Sequence, residues 1–336
     1  MSIIIIAFLG LTSLSSVQGF YNPVINENVP DPGAILYDNE YYVVTTSGPL
    51  DGKFPIHKSS DLQNWDFMGY ALPRDHSPQW AQSPDTDFWA PELHVINGMF
   101  RLYFTARHSS GVLCIGVATA DNILGPYTDI GSPLFQNPNM GSIDATVFKD
   151  EFQDYWLVWK DDGNGKNPQQ PTIIRSKRLS YSGLSFEDSA MYELIKNDQP
   201  WEGDVTEGPW MIRKDGFYYL FYSGHGYCDQ SYSVGVARSR SPWGPFKKKG
   251  SPILFSSGNW QGPGHCSVIK TSSDDWVIIY HSWMNNQVCG NNKRVMLADF
   301  IDWDWNQWPQ LRNMGALMSP KEGSSANSLE LLFLQQ

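Results

Sequence analysis

Three carboxylates lie in local settings suited to acid–base work. Asp31 is in Val29-Pro30-Asp31-Pro32-Gly33, Asp144 in Gly141-Ser142-Ile143-Asp144-Ala145 and Glu207 in Thr206-Glu207-Gly208-Pro209-Trp210. Each stands before, or at the start of, a strand-like run of aromatic and β-branched residues. Taken singly, an Asp before Pro is most often a turn former, and Asp144 and Glu207 have equally ordinary roles as turn cap and solvated side chain. Taken together, carboxylates delivered from separate strands to one cleft are what hydrolysis of a glycosidic bond requires, one as acid and one as base or nucleophile. The first expectation is a sugar-cleaving enzyme.

The elements that must carry these groups show up as internal repeats. Gly111 to Tyr127 (GVLCIGVATADNILGPY) echoes Ser231 to Phe246 (SYSVGVARSRSPWGPF), a small and β-branched strand leading through a turn to Gly-Pro-aromatic. A second unit, a polar turn followed by an aromatic strand, begins at Asn39, Asn97, Gln153, Asp215 and Asp274, at intervals of roughly sixty residues. Asn-Gly and Asp-Gly before alternating aromatic runs are hairpin signals. With 22 Pro and 29 Gly, the chain is interrupted too often for long amphipathic helices. Five equal all-β units of about four strands predict a five-bladed β-propeller; a large β-sandwich would not explain five even repeats. The innermost strands of such a ring converge on one mouth of its axial channel, which would bring the three carboxylates together.

Composition narrows the function. Residues 1–19 hold an apolar run too short to span a bilayer, then small and polar residues. Val17 and Gly19 fit a signal-peptidase site, so cleavage before Phe20 is expected, although no Lys or Arg precedes the apolar run. The domain is read as residues 20–323, with a loose tail at 324–336 and export from the cell. The formal charge of -11 argues against nucleic acid or an anionic membrane as partner; a neutral polysaccharide suits it better. Cys114, Cys228, Cys266 and Cys289 form no C-x-x-C pair, so zinc and redox motifs are not expected. Export permits a disulfide, with Cys228 and Cys289 in Gly/Asn-rich loops as one pairing, whereas Cys114 lies in an apolar run and reads as a buried thiol.

Segments from VPDPGAILYDNEYYVVTTS through FWAPELHVINGMFRLYFTA, GSIDATVFKD, TEGPWMIRKDGFYYLFYSG and GPGHCSVIK to RVMLADFIDW resemble glycoside hydrolase family 43 over about residues 20–310. The resemblance implies a five-bladed propeller that cleaves arabinose- or xylose-containing glycans with inversion. Matched by motif, Asp31 is the general base, Glu207 the general acid, and Asp144 the carboxylate that orients the acid and holds its pKa up. A neighbouring carboxylate does disfavour ionisation, so Glu207 is expected to stay protonated near neutral pH. Acid and base should stand about 6.5–9.5 Å apart to admit water. The resemblance places Trp89 and Arg294 at the sugar. It places His265 near the axis, associated through water with a bound calcium or other cation, although the chain has no acidic calcium loop. The chemistry itself needs no cofactor. Glu92, Trp210 and Phe221 are read as structural.

The expected function is a secreted, monomeric α-L-arabinofuranosidase acting on plant cell-wall arabinan or arabinoxylan. A β-D-xylosidase and an endo-arabinanase are the alternatives within the family. The chain ends soon after its fifth unit, without the extra β-sandwich many β-xylosidases of the family append, which favours arabinose. A non-catalytic glycan-binding propeller would be expected to have lost some of the three carboxylates. A retaining fructan-type hydrolase would need a motif like Asn-Asp-Pro-Asn-Gly at Asp31, where this chain has Pro30-Asp31-Pro32-Gly33.

Overall fold

The computed structural model describes residues 19–46 and 51–315. The expected leader, save Gly19, and the expected tail lie outside the described residues. Twenty strands form five four-stranded sheets, each an antiparallel meander. Blade 1 comprises β1 (Gly33–Tyr37), β2 (Glu40–Val44), β3 (Gly52–Ser59) and β4 (Asp66–Pro73). Blade 2 comprises β5 (Phe88–Ile96), β6 (Met99–Arg107), β7 (Leu113–Ala120) and β8 (Thr128–Asp129). Blade 3 comprises β9 (Ser142–Lys149), β10 (Tyr155–Asp161), β11 (Ile173–Arg178) and β12 (Tyr192–Lys196). Blade 4 comprises β13 (Thr206–Lys214), β14 (Phe217–Gly224), β15 (Ser233–Ser239) and β16 (Lys247–Lys248). Blade 5 comprises β17 (Trp260–Lys270), β18 (Trp276–Met284), β19 (Arg294–Trp303) and β20 (Pro309–Leu311). The first strands touch in cyclic order: β1 meets β5, β5 meets β9, β9 meets β13, β13 meets β17, and β17 returns to β1. This closed ring is the five-bladed propeller the repeats predict.

The hairpin signals act as read. Asp38-Asn39, Asn97-Gly98 and Asp215-Gly216 each have positive φ at both residues and join directly paired strand ends, Tyr37 to Glu40, Ile96 to Met99 and Lys214 to Phe217. Two left-handed residues give a turn whose twist matches that of the strands it joins.

The aromatic runs are the second strands of the blades, and they feed two cores at once. Along β14, Tyr218, Leu220 and Tyr222 pack toward blade 3, while Tyr219 and Phe221 pack toward blade 5. Along β10, Trp156 and Val158 face the blade 4 side, while Tyr155, Leu157 and Trp159 face blade 2. Alternate side chains of a strand point to opposite faces, so a strand between two neighbouring blades is apolar at almost every position. The third strands must then be slim. Gly116 lies opposite Phe104, and Gly235 opposite Tyr222. That explains the echo between Gly111–Tyr127 and Ser231–Phe246.

A segment with no strand of its own closes the ring. The Asn22 side chain donates to Ala298 O at 3.0 Å and accepts from Ala298 N at 3.0 Å. Val24 N donates to Met296 O, Met296 N to Ile25 O, and Val29 N to Arg294 O. Residues 22–29 therefore run along β19 of blade 5 and lead straight into Asp31 at the start of blade 1. No helix among the described residues is long and apolar enough to cross a membrane.

Candidate active site

Each blade contributes one residue with a left-handed backbone where its first strand meets the axial channel: Asp31 (φ 56°), Ala90 (φ 44°), Asp144 (φ 57°), Gly208 (φ 55°) and His265 (φ 47°). In blades 2 to 5 the strand register shifts at this place. A bulge with a left-handed residue bends the strand and re-aims its side chains, here toward the mouth. Non-glycine residues hold such backbone only where the surroundings enforce it. Asp31 and Asp144 occupy equivalent positions in blades 1 and 3. Glu207 stands one residue earlier in its blade, level with Trp89, Ile143 and Gly264.

The backbone N–H of the left-handed residue is received by a side chain in, or just after, the preceding blade's second strand. Ala90 N donates to Thr46 Oγ1 at 2.8 Å, Asp144 N to Thr105 Oγ1 at 3.0 Å, His265 N to Ser223 Oγ at 2.8 Å, and Asp31 N to His281 Nδ1 at 3.1 Å. In blade 3 the position belongs to Lys160, which pairs across the hairpin with Ile143 as Thr105 pairs with Trp89, Ser223 with Glu207 and His281 with Gly264. An ammonium cannot accept, so Gly208 N donates to Asp144 Oδ2 at 3.0 Å instead. Lys160, 1% exposed, binds Glu207 Oε2 at 2.9 Å and Asp162 Oδ1 at 3.0 Å. Tyr232 OH donates to the other Glu207 oxygen at 2.9 Å.

Asp31 sits in a cationic setting. Arg294 Nη1 donates to Oδ1 at 2.9 Å, Thr46 Oγ1 donates to Oδ2 at 2.6 Å, and His265 Nδ1 lies 3.5 Å from Oδ1. Burial alone would raise this carboxyl, but Arg294 first and then His265 hold it well below the usual carboxylate range. His281 is itself pushed down to about 4 by burial and by Arg294, so it is neutral and its Nδ1 is free to accept the Asp31 N–H.

The other two carboxyls correct the expectation from sequence. Burial and the Glu207 charge push Asp144 up to about 6, against the opposing pull of His265 and Lys160. Glu207, which burial alone would raise, is drawn below its usual value by Lys160, His265 and Tyr232. Near neutral pH the raised carboxyl of the site is thus Asp144, because the buried ammonium binds Glu207 directly.

Asp31, Asp144, Lys160 and Glu207 line a cleft of about 450 Å³ that also takes in Trp89, Arg107, Asp162, Asn164, Tyr227 and Cys228. Trp89 and His265 reach the cleft as expected. Arg294 does too, but its guanidinium is engaged by Asp31 and stacks 4.7 Å from the Tyr227 ring centre. The turn Gly163–Gly165 forms one wall, with Asn164 in the lining. The loop before β15, which lines the cleft with Gly226, Tyr227 and Cys228, is joined to the loop before β19 by the disulfide Cys228–Cys289. Cys114 and Cys266 are buried free thiols. Glu92 is buried against His94 Nε2 at 2.8 Å. Among the described residues no three His, Cys, Asp or Glu side chains are grouped to hold a metal. Sequence reading passed over Lys160, His281 and Tyr232. The first two are polar residues set inside otherwise apolar strands, which is the signal they leave.

A closed propeller whose axial mouth gathers one carboxylate held ionised and two sharing a buried ammonium's field is built like a glycoside-cleaving enzyme. The chain belongs to the glycosyl hydrolases family 43, whose sequence profile matches residues 20–309; members of this family are glycosidases. It is 25% identical over 330 residues to a non-reducing end α-L-arabinofuranosidase of Bacteroides ovatus, covering 94% of this chain but only 58% of that protein. It is 24% identical over 321 residues to an extracellular endo-α-(1→5)-L-arabinanase of Bacillus subtilis, covering 90% of this chain and 94% of that one. Among solved structures, a thermostable family-43 glycoside hydrolase superposes with a TM-score of 0.80 at 28% identity, over 92% of this chain and 100% of that one.

Proposed function

We propose that this chain is a secreted, monomeric, inverting exo-glycosidase that releases L-arabinofuranose from arabinan or arabinoxylan. The observation that carries the mechanism is the split environment of the three buried carboxyls. Asp31, kept ionised by Arg294 and His265, is the base that takes a proton from water. Asp144 and Glu207 are joined through the Gly208 N–H and the field of Lys160, and the proton they hold between them rests on Asp144, the raised carboxyl. Glu207 delivers the pair's proton to the leaving oxygen, and Asp144, tied to the Gly208 N–H, orients it.

The walled shape of the cleft favours exo action. Its volume of about 450 Å³ lies at the small end of ordinary ligand pockets and suits a chain end. The Bacteroides relative acts at non-reducing ends by its name, and the Bacillus relative is extracellular. Both names support the arabinose reading, and the Bacillus one the export reading. Trp89 offers an aromatic face to the sugar.

The test is hydrolysis of aryl α-L-arabinofuranoside and aryl β-D-xyloside, beside debranched arabinan and arabinoxylan, with Asp31→Ala in parallel. Arabinose is expected from the wild type, as the inverted anomer by NMR at early times, with a loss of about 10²–10⁴-fold in the variant. Release of xylose alone would move the substrate to β-xylosides, and retention of configuration would make Asp31 a nucleophile. The amino terminus and mass of the secreted protein test cleavage before Phe20 and the monomer.

A further inference from the structure

Four of the five blades place an acceptor where the second strand meets the channel mouth: Thr46, Thr105, Ser223 and His281. Each takes the N–H of the next blade's left-handed residue. Blade 3 places Lys160 there, and two contacts change together. The Gly208 N–H turns to Asp144 Oδ2, and Glu207 Oε2 is bound by the ammonium. We infer that Lys160 is the positioning residue of the acid: by standing where the ring otherwise has an acceptor, it clamps Glu207 and assigns the Gly208 N–H to Asp144, so that the two carboxyls have different tasks. This deepens the proposed function and rests on its reading of Glu207 as the acid.

The geometry argues against simple packing. An isolated ammonium buried to 1% exposure is costly, and its burial is tolerated only with charged partners at hydrogen-bond distance. Lys160 has Glu207 and Asp162 as such partners, with Asp144 adding to the field that keeps it charged. Glu207 faces Lys160 from β10, Asp144 from β9, His265 from β17 and Tyr232 from the approach to β15. Of these, Lys160 is the fixed cation in contact with it. A hydroxyl would satisfy the ring here as it does in three other blades, so the lysine is not needed to close the propeller.

That symmetry also supplies the variant. Lys160→Thr installs the side chain found at positions 46 and 105, and Lys160→Arg keeps the charge. The pH dependence of kcat/KM is to be measured for wild type, both variants and Glu207→Gln. The substrates are an unactivated arabinoside and a dinitrophenyl arabinoside, whose leaving group needs no proton. In parallel, carboxyl ¹³C NMR titration, with the Glu207 signal assigned from Glu207→Gln, reads the group without any turnover.

In Lys160→Thr the alkaline limb should move up by about one pH unit or more, the scale of removing a contacting opposite charge. The Glu207 signal should move the same way, the acid limb set by Asp31 should stay, and the loss of rate should fall mainly on the unactivated substrate. Lys160→Arg should keep both the limb and the signal. An unmoved Glu207 signal in Lys160→Thr overturns the inference, whatever the activity. If Glu207→Gln slows both substrates equally, the acid assignment fails instead, and the NMR shift alone decides whether Lys160 sets Glu207.

Discussion

Asp31 and Asp144 occupy the same position in two blades, share a left-handed backbone and are about equally buried, yet they titrate in opposite senses. The difference lies in their neighbours: Arg294 touches Asp31, whereas Lys160, in the blade of Asp144, is bound to Glu207. The sign matters for stability. Asp31, held low, adds stability above the unfolded carboxyl pKa, and that contribution is lost as pH falls through its depressed folded value. Asp144, raised to about 6, favours the fold below the unfolded value near 4, and this contribution fades as pH rises through about 6. At neutral pH the fold therefore carries a buried charge that it would be more stable without. Asp144→Asn keeps an oxygen for the Gly208 N–H and removes that charge. Urea unfolding should show the variant more stable than wild type near neutral pH by on the order of 2 kcal/mol. Near pH 4 the advantage should vanish, while activity falls by tenfold or more. The same difference at both pH values would mean that Asp144 does not titrate in this range. The three carboxylates were legible in the sequence, each being marked by its own local motif. The direction of their pKa values was not, because it depends on a lysine whose relevance appears only when five blades are superposed.

At the level of strands, the recurring Gly-Val-Ala of the third strands answers the aromatic residues of the second. A Cβ added to Gly116 would stand 2.4, 2.6 and 3.0 Å from atoms of the Phe104 ring, and Gly116 has ordinary backbone geometry, so the constraint is one of volume. Gly116→Ala should therefore cost about 1–3 kcal/mol by overpacking, read as a lower urea midpoint with an unchanged slope. Pairing it with Phe104→Leu should recover part of the loss, and no recovery would show that the ring is not what opposes the methyl. Gly98, beside which a Cβ meets nothing within 4 Å, differs in kind: its positive φ closes the turn into β6. Both glycines were visible in the sequence, one as a hairpin signal and one as part of a repeat. Local turn chemistry and period-two alternation act over a few residues, which is why hairpins and blade number could be read directly. The bulges at the channel mouth could not, since a register shift is defined by the partner strand rather than by the bulged one.

Over the whole molecule, a ring of blades must be closed where its ends meet, and here residues 22–29 fasten to β19 more than 260 residues away. Nothing local announces this, and the sequence reading placed Phe20 to Asn28 simply at the start of the domain. The closure and the chemistry share one stretch of chain. Val29 N binds Arg294 O, and Arg294 in turn binds Asp31 through its side chain. Asp31 N is held by His281 of blade 5, so the proposed base is placed by the last blade as much as by the first. Asn22, 1% exposed, makes two side-chain hydrogen bonds to the Ala298 backbone. Asn22→Ala strands both of those buried backbone groups and should cost about 1–3 kcal/mol, with faster hydrogen exchange along β19 and residues 22–29 than in blades 2 and 3. Because the seam positions Asp31 and leaves Glu207 untouched, kcat/KM should fall with its acid limb displaced and its alkaline limb unchanged. A variant that loses stability evenly across all five blades, with both limbs in place, would show that the seam closes the ring without setting the base.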